Sequence, residues 1–152
     1  MTYTTEIRIN LNLETFTSKL INTDNLKHWQ LGLTDYDYIY GTPSKTGFKI
    51  RLHYTLDTKS FFLIQTISKS ALPNELHVTY ESKGIYTIQE NCFTAISEKE
   101  SLWVSKNEVI PTTFKMRLML LIMPSIFKNQ TKTYMQNFKN FAENGISINP
   151  KK

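Results

Sequence analysis

The C-terminal part of this sequence contains one long stretch without glycine, which runs from Pro111 to the residue before Gly145. Thr112 or Thr113 can accept the first free backbone N–H groups of a helix, and Gly145 can adopt the left-handed conformation that ends one. The pattern predicts a long C-terminal helix whose apolar face packs against the region before it. Residues spaced by four and three positions share that face: Met116, Leu120, Met123, Phe127, Thr131, Tyr134, Phe138 and Phe141.

Pro124 interrupts this helix near its middle, because proline removes one backbone hydrogen bond and clashes with the carbonyl group four residues earlier. Either the helix is kinked between Leu120 and Pro124, or a new helix starts with Pro124 in its first turn. A kink would let the helix curve over a cavity and leave the entrance of that cavity open. Alternatively, it would only follow the curvature of a sheet.

The beginning of the chain predicts one strand followed by two short helices. Residues 6–13 alternate between apolar and polar side chains, which is typical of a half-buried strand. Asn12 is a candidate N-cap for the first helix, and the second is predicted from Thr23 or Asp24 to Gly32. The inward-facing residues of these helices are Phe16, Leu20, Ile21, Leu26 and Trp29.

The middle of the chain predicts about six strands separated by turn residues, at 35–40, 47–56, 61–68, 76–80, 85–96 and 102–110. Short connections between consecutive strands favour an antiparallel meander. Residues 61–68 are almost continuously apolar, which predicts burial on both faces. The fold class is therefore α+β, with a curved antiparallel sheet of about six to seven strands wrapped around the long C-terminal helix.

Length and composition predict one domain over residues 1–152, with a frayed tail at 146–152. Cys92 is the only cysteine, which excludes an internal disulfide, and its apolar strand indicates an inert core residue. The N-terminus has no basic start followed by an apolar run, and no apolar run approaches the roughly 20 residues that span a bilayer. We therefore expect a cytoplasmic, soluble protein without a transmembrane segment.

The net charge of +5 is concentrated in the C-terminal part of the chain. From Pro111 onward there are seven basic residues and one acid, Glu143, whereas the first 110 residues carry 11 basic and 12 acidic side chains. This pattern is typical of a solvated helix face that complements the helix dipole. It is also compatible with peripheral contact to anionic lipid headgroups or to an acidic protein partner. The lysines are scattered and no nucleic-acid-binding motif accompanies them, so we predict no nucleic-acid partner.

Several local sequences add to the order of these elements. They are Ile7-Arg-Ile-Asn-Leu, Leu13-Glu-Thr-Phe, Asp24-Asn-Leu-Lys-His-Trp, the step Lys83-Gly84 into a strand that ends in Phe93, Ser101-Leu-Trp, Phe127-Lys, and Phe138-Lys-Asn-Phe-Ala-Glu-Asn-Gly. Together with the element order they resemble the START-like or SRPBCC superfamily, whose helix-grip fold is shared by lipid-transfer domains, polyketide cyclases and pollen-allergen relatives. The resemblance covers nearly the whole chain. Ser101 departs from the pattern, because many relatives have threonine there.

The resemblance implies a deep hydrophobic pocket between the sheet and the C-terminal helix, able to hold a lipid, a sterol, a polyketide or another flat apolar molecule. Binding or transport of such a ligand is the first hypothesis for function. No phosphate-binding loop and no metal-ligand motif occurs, so we predict no cofactor and no metal. The predicted ligand-binding residues are Tyr36, Tyr38, Phe48, Ile50, Leu52, Tyr54, Met116, Leu120, Met123, Phe127, Tyr134 and Phe138.

Two other functions remain open from the sequence. A polyketide cyclase or aromatase would require polar groups inside the cavity, and His77, Glu81 and Gln89 are the candidates. His77 and Glu81 share one face of their strand, so both face the pocket or both face solvent. A protein-interaction module would instead dock through the basic C-terminal helix, and a small cavity would favour this third hypothesis.

Overall fold

Seven strands form one antiparallel sheet in the structure, a computed structural model that describes residues 1–149. The sheet order is β1-β7-β6-β5-β4-β3-β2, so the strands from the second to the seventh form a meander and the first pairs with the last. The predicted helix-grip fold is confirmed. The strands are β1 (Thr2–Ile9), β2 (Leu33–Tyr40), β3 (Lys49–Leu56), β4 (Lys59–Ala71), β5 (Glu75–Ser82), β6 (Ile85–Ser97) and β7 (Glu100–Pro111).

Two short helices follow β1 and cover one end of the concave face of the sheet. Helix α1 spans Leu13–Ile21, and a 3₁₀ helix spans Thr23–His28. Asn12 caps α1, because its side-chain oxygen accepts a hydrogen bond of 2.8 Å from the backbone N–H of Thr15. The predicted pair of helices is therefore present, although the second ends at His28, four residues before Gly32.

The C-terminal segment forms two helices instead of one, namely α2 (Phe114–Ile122) and α3 (Ile126–Asn144). Thr113 caps α2, and Gly145 ends α3 with a positive φ of 70°, as the sequence predicts. Pro124 lies between the helices and not inside the first turn of the second. None of the helices within residues 1–149 has the length and apolar content needed to cross a membrane.

An aromatic cluster holds the helices against the sheet. Phe16 of α1 packs edge-on against Phe93 of β6, with ring centroids 5.3 Å apart. Phe138 of α3 lies 5.7 Å from both Phe16 and Trp103 of β7. These large rings are almost completely buried, so the cluster is the centre of the hydrophobic core.

The sheet differs from the sequence prediction where neighbouring elements leave side chains uncovered. Phe61 and Phe62 are about half exposed, so the prediction that their strand is buried on both faces is wrong. Their rings instead contact side chains of the adjacent strand, where Tyr54 stacks on Phe61 and Arg51 lies over Phe62. Cys92 is also exposed, because it occupies the convex face of the sheet between inward-facing neighbours.

Candidate functional site

A cavity of about 60 Å³ lies between the concave face of the sheet, helix α1 and the 3₁₀ helix. Its walls are mostly apolar, and its floor carries amide and hydroxyl groups from the middle strands. The segment between β2 and β3 contributes one side of the cavity through Ser44 and Phe48. The lining residues are Leu20, Ile21, Thr23, Leu26, Trp29, Gln30, Ser44, Phe48, Gln65, Ile67, Leu76, Val78, Tyr80, Gln89, Asn91 and Trp103.

A chain of hydrogen-bonded side chains crosses the floor of this cavity. The side-chain oxygen of Gln89 accepts hydrogen bonds from Asn91 Nδ2 at 3.1 Å and from the Tyr80 hydroxyl at 3.4 Å. Gln89 in turn donates to Asn107 Oδ1 at 3.0 Å, and Trp103 Nε1 donates to Asn91 Oδ1 at 2.9 Å. These hydrogen bonds therefore join three strands, β5, β6 and β7, through their side chains.

The alternation of β6 and β7 places these polar groups inside the protein. Phe93 and Trp103 face the core, so residues two and four positions away on the same strands face it as well. Ser105 and Asn107 are at most 1% exposed, and Asn91 is also buried. A buried amide without partners costs about 1–3 kcal/mol, so these groups are tolerated because they bond to one another.

Tyrosine hydroxyl groups from different elements lie in the same interior. Tyr54 donates a hydrogen bond of 2.5 Å to Gln30 Oε1, and Tyr3 shares one of 2.8 Å with the Thr131 hydroxyl. Burial raises the pKa of Tyr54 and of Tyr80 well above the usual value for tyrosine. Burial also raises the pKa of Tyr134. These phenols are therefore protonated at neutral pH, and those of Tyr54 and Tyr80 donate hydrogen bonds to glutamine side chains.

Trp29, one of the residues that line the cavity, carries a buried donor that is not used. Its indole Nε1 is buried and has no hydrogen-bond partner among the described residues. The ring itself is held by edge-on contacts with Tyr134 and Phe138, at centroid distances of 6.3 and 5.6 Å. Since an unpaired buried N–H group is costly, a ligand oxygen or a water molecule at this position would be stabilised.

Comparison with known proteins gives matches in structure but not in sequence. No protein-family model matches the chain, and no curated protein matches it. A START superfamily protein from Mycobacterium smegmatis superposes with a TM-score of 0.71 and 12% identity, covering 93% of this chain and 97% of its own. The fold is START-like. An aromatase/cyclase from Streptomyces sp. R1128 gives a TM-score of 0.74 at 7% identity, covering 94% of this chain and 93% of that one. The protein Ara h 8.0201 gives 0.70 at 10% identity, covering 94% and 97%.

Of the twelve predicted ligand-binding residues, Phe48 lines the cavity. Ile50, Leu52 and Phe138 lie in the core instead, where they are at most 1% exposed. Tyr54 faces inward and donates a hydrogen bond to Gln30. Leu120 is buried on the inner side of α2. Half-buried positions are occupied by Met116, Phe127 and Tyr134.

Three predicted residues lie on the surface. Tyr38 and Met123 are exposed, and the Tyr36 hydroxyl donates a hydrogen bond of 2.8 Å to Asp24 Oδ1 at the protein surface. Tyr38 is exposed and Tyr36 is only half-buried because β2 is an edge strand, paired only with β3 within the described chain. Met123 is exposed because α2 ends there, at the break before Pro124.

The candidate catalytic pair lies outside the cavity. Leu76, Val78 and Tyr80 of β5 face inward, so His77 and Glu81 face the convex side of the sheet. His77 Nε2 lies 3.1 Å from the carboxylate of Glu75. A general base in the cavity would require the His77 side chain to face inward, whereas His77 faces the convex side of the sheet. The residues that sequence reasoning overlooked are the polar inward positions Asn91, Ser105 and Asn107.

Proposed function

We propose that this protein binds a small, mainly apolar molecule that carries at least one hydrogen-bonding oxygen, in the cavity beside α1. The observation that carries the proposal is the composition of the cavity, where apolar walls face a floor of amides and hydroxyl groups. A core that served packing alone would be stabilised more by apolar side chains at these positions, because buried polar groups give up their hydration. The free donor of Trp29 supports a ligand with an acceptor oxygen.

The volume of the cavity sets a condition on this function. About 60 Å³ holds one or two water molecules, whereas sites for drug-sized ligands occupy about 300–1,000 Å³. Binding therefore requires the cavity to widen. The segment 41–47 is the covering element best suited to move, because it contains Gly41, Ser44 and Gly47 at positive φ and follows the edge strand β2. Its closed position is held by a hydrogen bond of 2.6 Å from the Ser70 hydroxyl to the Ser44 carbonyl.

The side chains of the cavity support binding over acid–base catalysis. Among the described residues that line it there is no aspartate, glutamate, histidine, lysine or cysteine. Its titratable group is Tyr80, whose raised pKa keeps the phenol protonated. The shared fold with an aromatase/cyclase supports a cavity-based function, but the chemistry here supplies hydrogen bonds. The second candidate, docking of a partner on the C-terminal helices, is favoured by the small volume of the cavity.

A pair of tryptophan substitutions on β5 tests the binding proposal. Val78→Trp fills the cavity, whereas the control His77→Trp adds the same ring on the convex face of the same strand. The ligand is sought by native mass spectrometry of protein isolated gently from its host, followed by denaturing extraction. We expect a stoichiometric apolar adduct on the wild type and on His77→Trp. Val78→Trp should weaken binding of the adduct about fivefold or more, because overpacking a filled cavity costs about 1–3 kcal/mol.

The two tryptophans of the chain provide a second readout, because Trp29 and Trp103 both line the cavity. Each indole N–H group gives one resonance in a ¹⁵N–¹H spectrum, and Trp29→Phe assigns the pair. A ligand that enters the cavity should shift the Trp29 resonance most, because its N–H group is free to bond. A wild-type protein that carries no adduct and shows no indole shift with fatty acids, sterols and flat aromatic compounds would contradict the proposal. Equal binding by Val78→Trp would contradict it as well.

A further inference from the structure

Helix α2 exposes large apolar side chains to solvent. Leu121 is 80% exposed, Phe114 is 79% exposed and Ile122 is 70% exposed. Leu118 is exposed as well, and Leu120 is the only buried side chain within Phe114–Ile122. Isolated exposed apolar residues are common on proteins, but several on one short helix indicate an interaction surface.

The exposed residues occupy one side of α2. At about 100° per residue, Phe114, Leu118, Leu121 and Ile122 fall within an arc of about 100°, and Leu120 lies on the far side of the helix. We call these four residues the α2 apolar face. Its far side is fixed to the rest of the protein, because buried Gly84 in the turn between β5 and β6 leaves room for Thr113 and Met116. The α2 apolar face is therefore presented outward by a helix that is anchored from behind.

Two cations flank the α2 apolar face. Lys115 and Arg117 are exposed and flank it, one on each side of the arc. Between Pro111 and Ala142 the chain has five basic residues and no acidic one. A partner for this surface therefore combines an apolar phase with negative charge at its boundary.

We propose that the α2 apolar face binds the surface of an anionic lipid bilayer. An interfacial helix places apolar side chains at the boundary between headgroups and acyl chains, while flanking lysine and arginine side chains extend toward the phosphates. Helix α2 has this arrangement, since cations lie on both sides of its apolar face. The proposal is independent of ligand binding in the cavity, because none of the α2 residues lines it.

The charges disfavour a second copy of the chain as the occupant. In a symmetric dimer the same surface meets itself, so Lys115 and Arg117 of one copy would lie near the same cations of the other. Like charges at such close range are destabilising. An anionic bilayer has no such conflict, because each added cation near the surface strengthens binding.

Vesicle sedimentation with the full chain tests this proposal. The vesicles contain phosphatidylcholine alone or phosphatidylcholine mixed with phosphatidylserine. We expect binding to the mixed vesicles, weaker binding to the neutral ones, and weakening by added salt. Leu121→Glu should lower the partition coefficient about tenfold or more, which corresponds to the lost burial of one leucine. The matched control is Leu31→Glu, since Leu31 is also exposed, at 55%, and lies outside α2. It should bind like the wild type.

A second pair of variants separates the local cations from net charge. Lys115→Ala with Arg117→Ala should weaken binding by about fivefold for each cation removed. Lys59→Ala with Lys99→Ala removes the same charge from exposed positions elsewhere and should have little effect. Circular dichroism confirms that each variant is folded.

Three results would overturn the assignment. The first is no binding of the wild type to mixed vesicles, which would direct the search toward an acidic protein partner. The second is an equal loss in Leu121→Glu and Leu31→Glu, or in the two cation pairs. The third is a dimer, measured by analytical ultracentrifugation without lipid, that Leu121→Glu dissociates.

Discussion

Asn91 connects two hydrogen-bonding groups inside the sheet, and Asn91→Leu removes both bonds at once. The amide accepts from Trp103 Nε1 at 2.9 Å and donates to Gln89 Oε1 at 3.1 Å. Leucine has a similar volume and cannot replace either bond. The Trp103 N–H group would then be buried without a partner, whereas Gln89 keeps a long bond to Tyr80 and a bond to Asn107.

The expected loss follows from this difference between the two partners. One buried donor without a partner costs about 1–3 kcal/mol, and the weakened acceptor adds up to about 1 kcal/mol. We therefore expect Asn91→Leu to lower the free energy of unfolding by about 1–4 kcal/mol. For a chain of this length that corresponds to a decrease in melting temperature of roughly 2–15 °C.

Urea denaturation followed by circular dichroism measures this loss. Thr94→Leu is the matched control, because Thr94 is exposed on the convex face of the same strand, and it should change stability by less than about 0.5 kcal/mol. In the double variant Asn91→Leu with Trp103→Phe the unpaired N–H group is gone. The double variant should therefore lose about 1–2 kcal/mol less free energy of unfolding than the sum of the losses in the two single variants. Additive losses, or an Asn91→Leu variant as stable as the control, would refute the reasoning.

Two further predictions concern the C-terminal end of α3. Burial raises the pKa of Glu143, but hydrogen bonds from Asn10 and Lys139 outweigh it and leave the pKa below its usual value of 4.5. A lowered folded-state pKa stabilises the protein above the unfolded-state pKa, and this contribution is lost as the pH falls through the folded-state pKa. Glu143→Gln should therefore lower the free energy of unfolding by about 1 kcal/mol at neutral pH. In acid, the melting temperatures of the variant and the wild type should converge. A difference in melting temperature that stays constant with pH would contradict this prediction. Gly145→Ala should lower the free energy of unfolding, measured by urea denaturation, by about 1 kcal/mol. The cause is the positive φ of 70°, because no atom lies within 4 Å of the added Cβ. Unchanged stability would show that backbone strain is absent there.

The order of elements could be predicted from the sequence because strand, turn and cap signals are local. Asn12, Thr113 and Gly145 perform the predicted helix-end roles, and the alternation that puts Ile50 and Leu52 inward is visible in the sequence. The division of the C-terminal helix was open, since proline is compatible with a kink or with a new start. Its outcome depends on how each half packs on the sheet, which is tertiary information.

Strand phase limited the prediction of the site. In β6 both faces carry a mixture of polar and apolar residues, so hydrophobic alternation does not distinguish the face of Cys92 from the face of Asn91. The structure resolves this, because Phe93 is packed against Phe16 and fixes the phase for the whole strand. Once Phe93 and Trp103 are inward, Asn91 and Asn107 follow by counting in steps of two. The polar floor of the cavity is therefore not predicted by the usual rule that polar positions on a strand face solvent.

The hydrophobic core and the α2 apolar face place opposite demands on the C-terminal segment. Helix α3 completes the core through Phe138, which is fully buried, and any shift of this helix would disturb the aromatic cluster around Trp103. Helix α2 contributes only Leu120 to the buried interior, and Pro124 interrupts the backbone hydrogen bonding between the two helices. The break therefore uncouples the exposed helix from the rigid one. Membrane contact through α2 is consequently compatible with an undisturbed core, and widening of the cavity is more readily assigned to the segment 41–47 than to α3.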